Sequence, residues 1–263
     1  MTPPFAPDSP VGRWRDHVLA RPKASSETYI GEDFFYIQEM RGQSGISLGV
    51  ADGVGGWTTT GDDPALFSQA LMYHAHRYSK TSWAGEPEID PTLEYEEREK
   101  VEGWELSPAE CLEFAYGGVL REQAVHNGSS TACIVNLNTS SGVLRAANLG
   151  DSGFCIIRSS TIIYEQKPQT HFFNCPNPFT QTDGLSDNVF MPELTSICAL
   201  VSKQFIDHQV TTTFNVEDTR MQVMADRIVD YARLVMHKTK RVSPFQLSAQ
   251  REGMYFPGGK VDE

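Results

Sequence analysis

Basic residues and paired cysteines are both scarce in this sequence, and each scarcity excludes a class of partner or site. Lys and Arg total 22 against 34 Asp and Glu, a net charge of −12, whereas nucleic acids and anionic membranes are bound by clustered Lys and Arg. The 5 cysteines are an odd number without a C-x-x-C pair, so neither a disulfide framework nor a zinc ribbon is expected. No apolar run is long enough to cross a bilayer, and no secretory signal follows the first residue.

The length and apolar content allow one large folded domain. With 263 residues, of which 40% are apolar, the chain can bury a substantial core. Residues 1–28 are polar and rich in proline, and we interpret them as an N-terminal arm. The folded domain is therefore predicted to span residues 29–263.

Local patterns predict a β-hairpin and two helices in the first half of the chain. The short apolar runs at 34–37 and 46–51 are separated by Gly and Ser, which is typical of two antiparallel strands. Pro64, after two aspartates, predicts the start of a helix. The segment Ser107-Pro108-Ala109-Glu110 is a capping box, and we expect its helix to run to about His126.

The second half combines short strands with two helices. Four β-rich runs at 131–137, 143–149, 153–158 and 161–165 predict an antiparallel meander. Residues 166–190 resemble a loop, and helices are predicted at 192–208 and 216–238. Because the helices group around blocks of strands, we expect an α+β fold.

Acidic residues at the ends of predicted strands indicate a metal site. An apolar run ends at Asp52-Gly53, and a strand that ends in this way places a carboxylate and an uncovered main-chain carbonyl next to each other. Glu32-Asp33 comes just before the partner strand. Two carboxylates about 4 Å apart repel by roughly 4 kcal/mol at an effective dielectric near 20, so a divalent cation normally lies between them. Taken singly, each motif is equally compatible with an ordinary turn or a solvated acidic pair.

Five acidic motifs occur in a fixed order along the chain. They are Glu32-Asp33, Ala51-Asp52-Gly53, Gly150-Asp151-Ser152, Thr182-Asp183-Gly184 and Gly258-Gly259-Lys260-Val261-Asp262. Together they resemble the metal-dependent PP2C-type Ser/Thr protein phosphatases. The run Gly-Val-Gly-Gly-Trp after Asp52 is similar to the mitochondrial, PPTC7-like (azr1-type) branch of that family.

The resemblance implies a fold, a cofactor and a reaction. The fold is a βαββα sandwich of two antiparallel sheets flanked by helices, holding two Mn²⁺ or Mg²⁺ ions and a weaker third. The implied metal ligands are Glu32, Asp52, the Gly53 carbonyl, Asp183 and Asp262, with Asp33 beside the attacking water and Asp151 at the third position. The implied reaction is hydrolysis of phosphoserine and phosphothreonine in protein substrates by a metal-activated water, with Asp52 and Asp183 as its catalytic carboxylates and no dependence on cysteine.

The sequence also departs from the family pattern. Val54 stands where many members carry a histidine, no strand can be read directly before Asp183, and Asp262 is followed only by Glu263. The sequence therefore indicates strands missing before Asp183 and after Asp262, as in a truncated isoform. A catalytically impaired binding or regulatory protein of the same family is the alternative function. The branch implies a mitochondrial location, but the N-terminal segment is a poor presequence, so the cytoplasm remains the alternative.

Overall fold

The computed structural model describes residues 3–20, 31–85, 105–172, 175–176, 185–207 and 216–261. The chain forms two compact units. One comprises residues 1–152 with 168–182, and the other comprises residues 153–167 with 183–263. Within the described residues, no helix has the length and apolar character needed to cross a membrane.

An antiparallel four-stranded sheet forms the centre of the first unit. Its strands are β1 (Asp33–Glu39), β2 (Gly45–Asp52), β3 (Ala132–Asn138) and β4 (Leu144–Leu149), in the order β1-β2-β3-β4. The first two strands are the predicted hairpin. Helices accompany this antiparallel sheet, which confirms the α+β prediction.

Among the residues that the structure describes, three helices belong to the same unit. They are α1 (Pro10–Val18), α2 (Pro64–Thr81) and α3 (Pro108–Glu122). Helix α2 begins as predicted, with the Asp63 side chain accepting a hydrogen bond from the Ala65 N–H. Helix α3 begins with the predicted capping box, in which Ser107 and Glu110 cap one another.

Two predictions about these helices need correction. Helix α3 ends at Glu122 and not near His126, because Gln123 adopts a left-handed conformation with φ of 50° and stops the helix a turn before the expected Asn-Gly signal. No helix was predicted within the arm, yet α1 lies there. There, Trp14 of α1 packs its ring 5.2 Å from the ring of Phe34, so this part of the arm is tied to the core.

The core of the first unit lies between α2, α3 and one face of the sheet. Residues alternate along β1, so Phe34 and Tyr36 are buried whereas Phe35 and Ile37 on the other face are exposed. The remaining buried apolar residues of this core are Ala51, Phe67, Ala70, Leu71, Met72, Ala75, Cys111, Leu112, Ala115, Val119, Ala132 and Ile134. Burial of these side chains provides the main stabilisation of the unit.

A buried polar cluster joins the sheet to α2. The Tyr36 hydroxyl lies 3.0 Å from both the Ser47 and the Ser79 hydroxyls, and burial raises the pKa of Tyr36. Gly49 is the cross-strand partner of Tyr36, and the tyrosine ring fills the space where a side chain on Gly49 would lie. The glycine is therefore required by close packing of the ring.

The second unit combines a hairpin with three helices. Its elements are β5 (Cys155–Arg158), β6 (Thr161–Glu165), α4 (Met191–Asp207), α5 (Val216–Met236) and α6 (Pro244–Arg251). Helices α4 and α5 confirm the two predicted in this region. Val189, Leu194 and Val235 form the centre of a small core. Helix α6, capped by Ser243 with Pro244 in its first turn, was not predicted.

The predicted four-stranded meander is wrong in one connection. Strands β3 and β4 pair, and β5 and β6 pair, but β4 and β5 lie in different sheets. The chain turns at Gly150, which has a φ of 90°. The main chain of Gly150 is hydrogen-bonded to Gln169, so the chain leaves the edge of β4 before β5 begins. Short strands β7 (Thr170–Phe172) and β8 (Cys175–Pro176) also lie within the segment predicted as a loop. The strands expected to be missing before Asp183 and after Asp262 concern positions outside the described residues.

We expect Tyr36→Phe to lower the free energy of unfolding by about 1–3 kcal/mol, because it removes a buried hydroxyl with two hydrogen-bond partners. Tyr78→Phe is the matched control, since the Tyr78 hydroxyl bonds to Arg121 at the surface of the same unit and its loss should cost less than about 0.5 kcal/mol. Urea unfolding measures both. Equal losses for the two variants would contradict the proposed role of the buried cluster.

Candidate metal centre

Two of the predicted carboxylates face each other across a strand pair. Asp33 is the first residue of β1, Asp52 is the last residue of β2, and the antiparallel register places them directly opposite one another. Both side chains are half-buried. The two residues in such a pair lie within roughly 5.5 Å of each other at their Cα atoms, so the sheet brings together acidic groups that are 19 positions apart in the sequence.

The main chain of Glu32 is hydrogen-bonded to the residue that follows Asp52. The Gly53 N–H donates to the Glu32 carbonyl at 3.0 Å, and the Ser68 hydroxyl of α2 donates to that carbonyl at 2.7 Å. A side chain on Gly53 would overlap the Pro64 carbonyl, so the start of α2 lies directly against this glycine. The main chain of Glu32 thus lies beside Gly53 and Asp52, at the neighbouring ends of β1 and β2.

Residues from the next strand fix the main chain of Asp52. Its N–H donates to the Thr131 hydroxyl at 2.6 Å, and its carbonyl accepts from the Thr131 N–H at 2.8 Å and the Ser130 hydroxyl at 2.6 Å. Ser130 and Thr131 are fully buried. Neither residue was predicted from the sequence as part of the site. The sequence feature that could have indicated them is a cluster of small hydroxyl residues just before a predicted strand.

The turn after Asp52 leaves space for the Glu32 carboxylate. Residues Gly55–Thr60 form a 3₁₀ turn, and a Cβ built on Gly55 would lie 2.7 Å from Glu32 Oε2. The carboxylate therefore occupies the space that a side chain at Gly55 would fill. Trp57 donates from Nε1 to the Ser129 hydroxyl at 2.8 Å, which fixes the turn against the segment that leads into β3.

Asp151 is connected to this arrangement through its neighbour. The Ser152 hydroxyl lies 2.9 Å from the hydroxyl of Thr131, the residue that also holds Asp52. On its other side, Gly150 accepts a main-chain hydrogen bond from Gln169 at 2.6 Å. Asp151 thus lies in a turn next to the end of β4, and both of its neighbours are hydrogen-bonded within the first unit.

The predicted ligands in the first unit are of the chemical types that a hard divalent cation binds. Glu32, Asp33 and Asp52 supply carboxylate oxygens, and Gly53 supplies a main-chain carbonyl, which are the ligands that Mg²⁺ and Mn²⁺ prefer. The other two predicted ligands, Asp183 and Asp262, lie outside the described residues. Among the residues that the structure describes, no three acidic, His or Cys side chains form a complete metal-binding group.

The cysteine thiols lack the character of nucleophiles. Burial raises the pKa of Cys111 to about 11 and that of Cys133, on β3, to about 12. The reactive form of a cysteine is the thiolate, so these two side chains are inert near neutral pH.

The chain is similar to named protein phosphatases over most of its length. It is 30% identical to a protein phosphatase PTC7 homolog, fig, from Drosophila willistoni, and the match covers 94% of this chain and 78% of the relative. It is also 30% identical to the 5-azacytidine resistance protein azr1 from Schizosaccharomyces pombe, with 89% of this chain and 79% of the relative covered. A search of protein-family models gave no match.

A solved structure shows the same fold. The photosystem II phosphatase PBCP superposes with a TM-score of 0.60 at 24% identity, and the match covers 88% of each chain. The predicted PP2C-like α+β class is therefore confirmed at the level of the fold.

We expect Gly55→Ala to weaken Mn²⁺ binding about 10-fold, because the added methyl group would displace the Glu32 carboxylate. Gly56→Ala is the matched control, since a Cβ there would meet only Val54 Cγ1 at 4.0 Å and should leave the affinity unchanged. Isothermal titration with MnCl₂ measures both variants. If the two variants bind Mn²⁺ equally well, Glu32 is not a ligand.

Proposed function

The chain belongs to the PTC7-like PP2C protein phosphatases, and from this premise we propose that it hydrolyses phosphoserine and phosphothreonine in proteins with two Mn²⁺ or Mg²⁺ ions. Membership of the family makes it a protein serine/threonine phosphatase. The choice of metal and the roles of individual residues belong to the proposal. The observation that supports them best is the attachment of Glu32, Asp52 and Gly53 to one another at the ends of β1 and β2.

Each acidic residue has a proposed role at the ions. Asp52 would be shared between the two ions, Glu32 and the Gly53 carbonyl would hold one, and Asp183 and Asp262 would hold the other. Asp151 belongs to a weaker third position. The paired strands and the Thr131 hydrogen bonds support this assignment, because they hold the Asp52 main chain in place before any ion binds.

Bound ions would contribute positive charge, and the residues of the chain hold the reacting groups in place. When bound, a pair of divalent cations lowers the pKa of a water molecule and offsets negative charge on the phosphoryl oxygens. Asp33, opposite Asp52, is assigned to accept a hydrogen bond from the water that attacks phosphorus. The bond from phosphorus to the serine or threonine oxygen breaks as the bond from the water oxygen forms, which releases the alcohol and inorganic phosphate.

The departing oxygen takes its proton from solvent in this proposal. Val54 stands two positions after Asp52, and its side chain has no proton to donate. Its N–H is held by the Ser129 carbonyl at 3.0 Å. The absence of a general acid at position 54 predicts slower turnover for alcohols that leave poorly, since no side chain there assists their departure.

Overall charge favours a metal-dependent enzyme over one that binds phosphate through basic residues. With a net charge of −12, the chain repels phosphorylated substrates at long range unless cations are bound near the site. Two divalent ions at the carboxylates offset four negative charges locally. Substrate binding is therefore expected to follow metal binding.

The experiment that tests the function is phosphate release from phosphoserine and phosphothreonine peptides. We expect activity that requires Mn²⁺ or Mg²⁺, that is lost on adding EDTA, and that falls roughly 100-fold or more in Asp52→Asn, because one carboxylate serves both ions. Asp226→Asn, on the exposed face of α5, is the control and should keep full activity.

Two results would contradict the assignment. Full activity in a folded Asp52→Asn variant, checked by circular dichroism, would remove the residue from the reaction. A folded wild-type chain that binds Mn²⁺ but releases no phosphate would favour the alternative, a catalytically impaired regulatory member of the family.

The location within the cell is a separate part of the proposal. Resemblance to the mitochondrial branch favours mitochondria, although the N-terminal segment is a poor presequence because Asp8 and Asp16 lie among its basic residues. We expect a fusion with a C-terminal fluorescent protein to label mitochondria, and deletion of residues 1–28 to abolish this. Diffuse fluorescence from the full-length fusion would instead place the protein in the cytoplasm.

A further inference from the structure

Helices α2 and α3 enclose a pocket that carries two arginines. Its volume is about 390 Å³, which is within the range of ligand sites in proteins, and we call it the inter-helix pocket. In a chain with a net charge of −12, two arginines beside one carboxylate form a local excess of positive charge. The lining includes His74, Arg77, Tyr78, Gly118, Arg121 and Glu122.

His74 lies at the buried side of the inter-helix pocket. A Cβ built on Gly118 would lie 2.6 Å from His74 Nδ1, so the main chain of α3 passes directly against the imidazole ring. Burial lowers the pKa of His74, so the imidazole is neutral near pH 7. The positive charge of the pocket therefore comes from Arg77 and Arg121.

Aromatic side chains of α2 hold both arginines in place. The Arg77 guanidinium lies 5.4 Å from the centre of the Tyr73 ring, and Arg121 Nη2 donates to the Tyr78 hydroxyl at 3.1 Å. The Tyr78 ring in turn packs 5.6 Å from the ring of Phe114 on α3. Guanidinium groups held in this way lose less conformational entropy on binding an anion than mobile surface arginines do.

The Glu122 carboxylate lies among the donors of the pocket. Its Oε2 is 3.4 Å from His74 Nε2, and its Oε1 is 3.8 Å from Arg77 Nη1. The pocket thus already accommodates one oxyanion, which neutralises part of its positive charge. Each guanidinium has five N–H donors, and the contacts described use only some of them. The Tyr78 hydroxyl, which accepts from Arg121, keeps its own proton to donate.

The inter-helix pocket is far from the candidate metal centre. Helix α2 begins at Pro64, whose carbonyl packs against Gly53 of that centre, and Arg77 lies 13 residues further along the same helix. At a rise of 1.5 Å per residue, this separation is about 20 Å along the helix axis. The pocket is therefore a separate site.

We propose that the inter-helix pocket is a second anion site that binds a phosphate group, either as inorganic phosphate or as the phosphoryl group of a phosphorylated polypeptide. Guanidinium groups bind phosphate oxygens through paired, charge-assisted hydrogen bonds. Arg77, Arg121 and the Tyr78 hydroxyl donate to these oxygens. The site is independent of the metal-dependent reaction, because it lies at the other end of α2.

The test is equilibrium dialysis of radiolabelled inorganic phosphate against the full chain, in EDTA so that phosphate held by metal ions does not contribute. We expect Arg77→Gln and Arg121→Gln each to weaken binding at least about 5-fold, because each removes charge-assisted hydrogen bonds. Lys80→Gln is the matched control. It removes one positive charge from an exposed position on α2 outside the pocket lining, and it should change the affinity less than about 2-fold.

Glu122→Gln should have the opposite effect. The amide keeps a hydrogen-bonding group beside His74 but removes the negative charge that repels an incoming phosphate, so we expect binding to tighten about 3-fold. A residue that only joins the two helices would give no such gain. Thermal unfolding without phosphate checks that each variant is folded.

Two peptides of one sequence, with phosphoserine or with serine, distinguish the sources of the phosphate group. Tighter binding of the phosphopeptide than of both inorganic phosphate and the serine peptide would assign the site to phosphorylated polypeptides. Inorganic phosphate that binds at least as tightly as the phosphopeptide would assign it to free phosphate.

Two results would overturn the proposal. One is that the folded wild-type chain binds neither inorganic phosphate nor the phosphopeptide in preference to the serine peptide. The other is an equal loss of affinity in Lys80→Gln and Arg121→Gln, which would reduce the effect to general surface charge. Neither result affects the metal-dependent reaction, because the assay contains no free divalent cation.

Discussion

The fixed main chain of Asp52 is the constraint on which the proposed site depends. Three hydrogen bonds from Ser130 and Thr131 hold this residue at the end of β2, and the adjoining Gly53 is bonded to Glu32. The apolar core beneath the sheet stabilises the two strands that carry these residues. Under the proposed function, ions would bind to a main chain that is already held in place.

Local sequence signals were sufficient for most of the secondary structure. The hairpin of β1 and β2, the start of α2 and the capping box of α3 each follow from residues close together in the chain. The features that could not be predicted depend on distant contacts. The end of α3 at Glu122 and the separation of β4 from β5 result from packing and from hydrogen bonds to Gln169, which leave no periodic pattern in the sequence.

The candidate site likewise contains some residues that could be predicted from the sequence and others that could not. Acidic residues at strand ends could be identified because an apolar run that stops at an Asp-Gly pair is visible in the sequence, and the order of five such motifs indicated the family. The residues that hold them in place could not be identified. Thr131 is 79 positions from Asp52, so nothing in the local sequence of either residue reveals the bond. Hydroxyl side chains of this kind are common in turns, which hides their role.

The contact between Tyr36 and Gly49 has a consequence for how the protein can vary. The ring occupies the space above the glycine, so a side chain added at position 49 would clash with the ring, and loss of the ring at position 36 would leave a void. A smaller residue at 36 would permit a larger one at 49, and only such paired replacements conserve the volume. Comparison of related sequences should therefore show residues 36 and 49 varying together. Such covariation follows from packing against the sheet and is independent of the reaction.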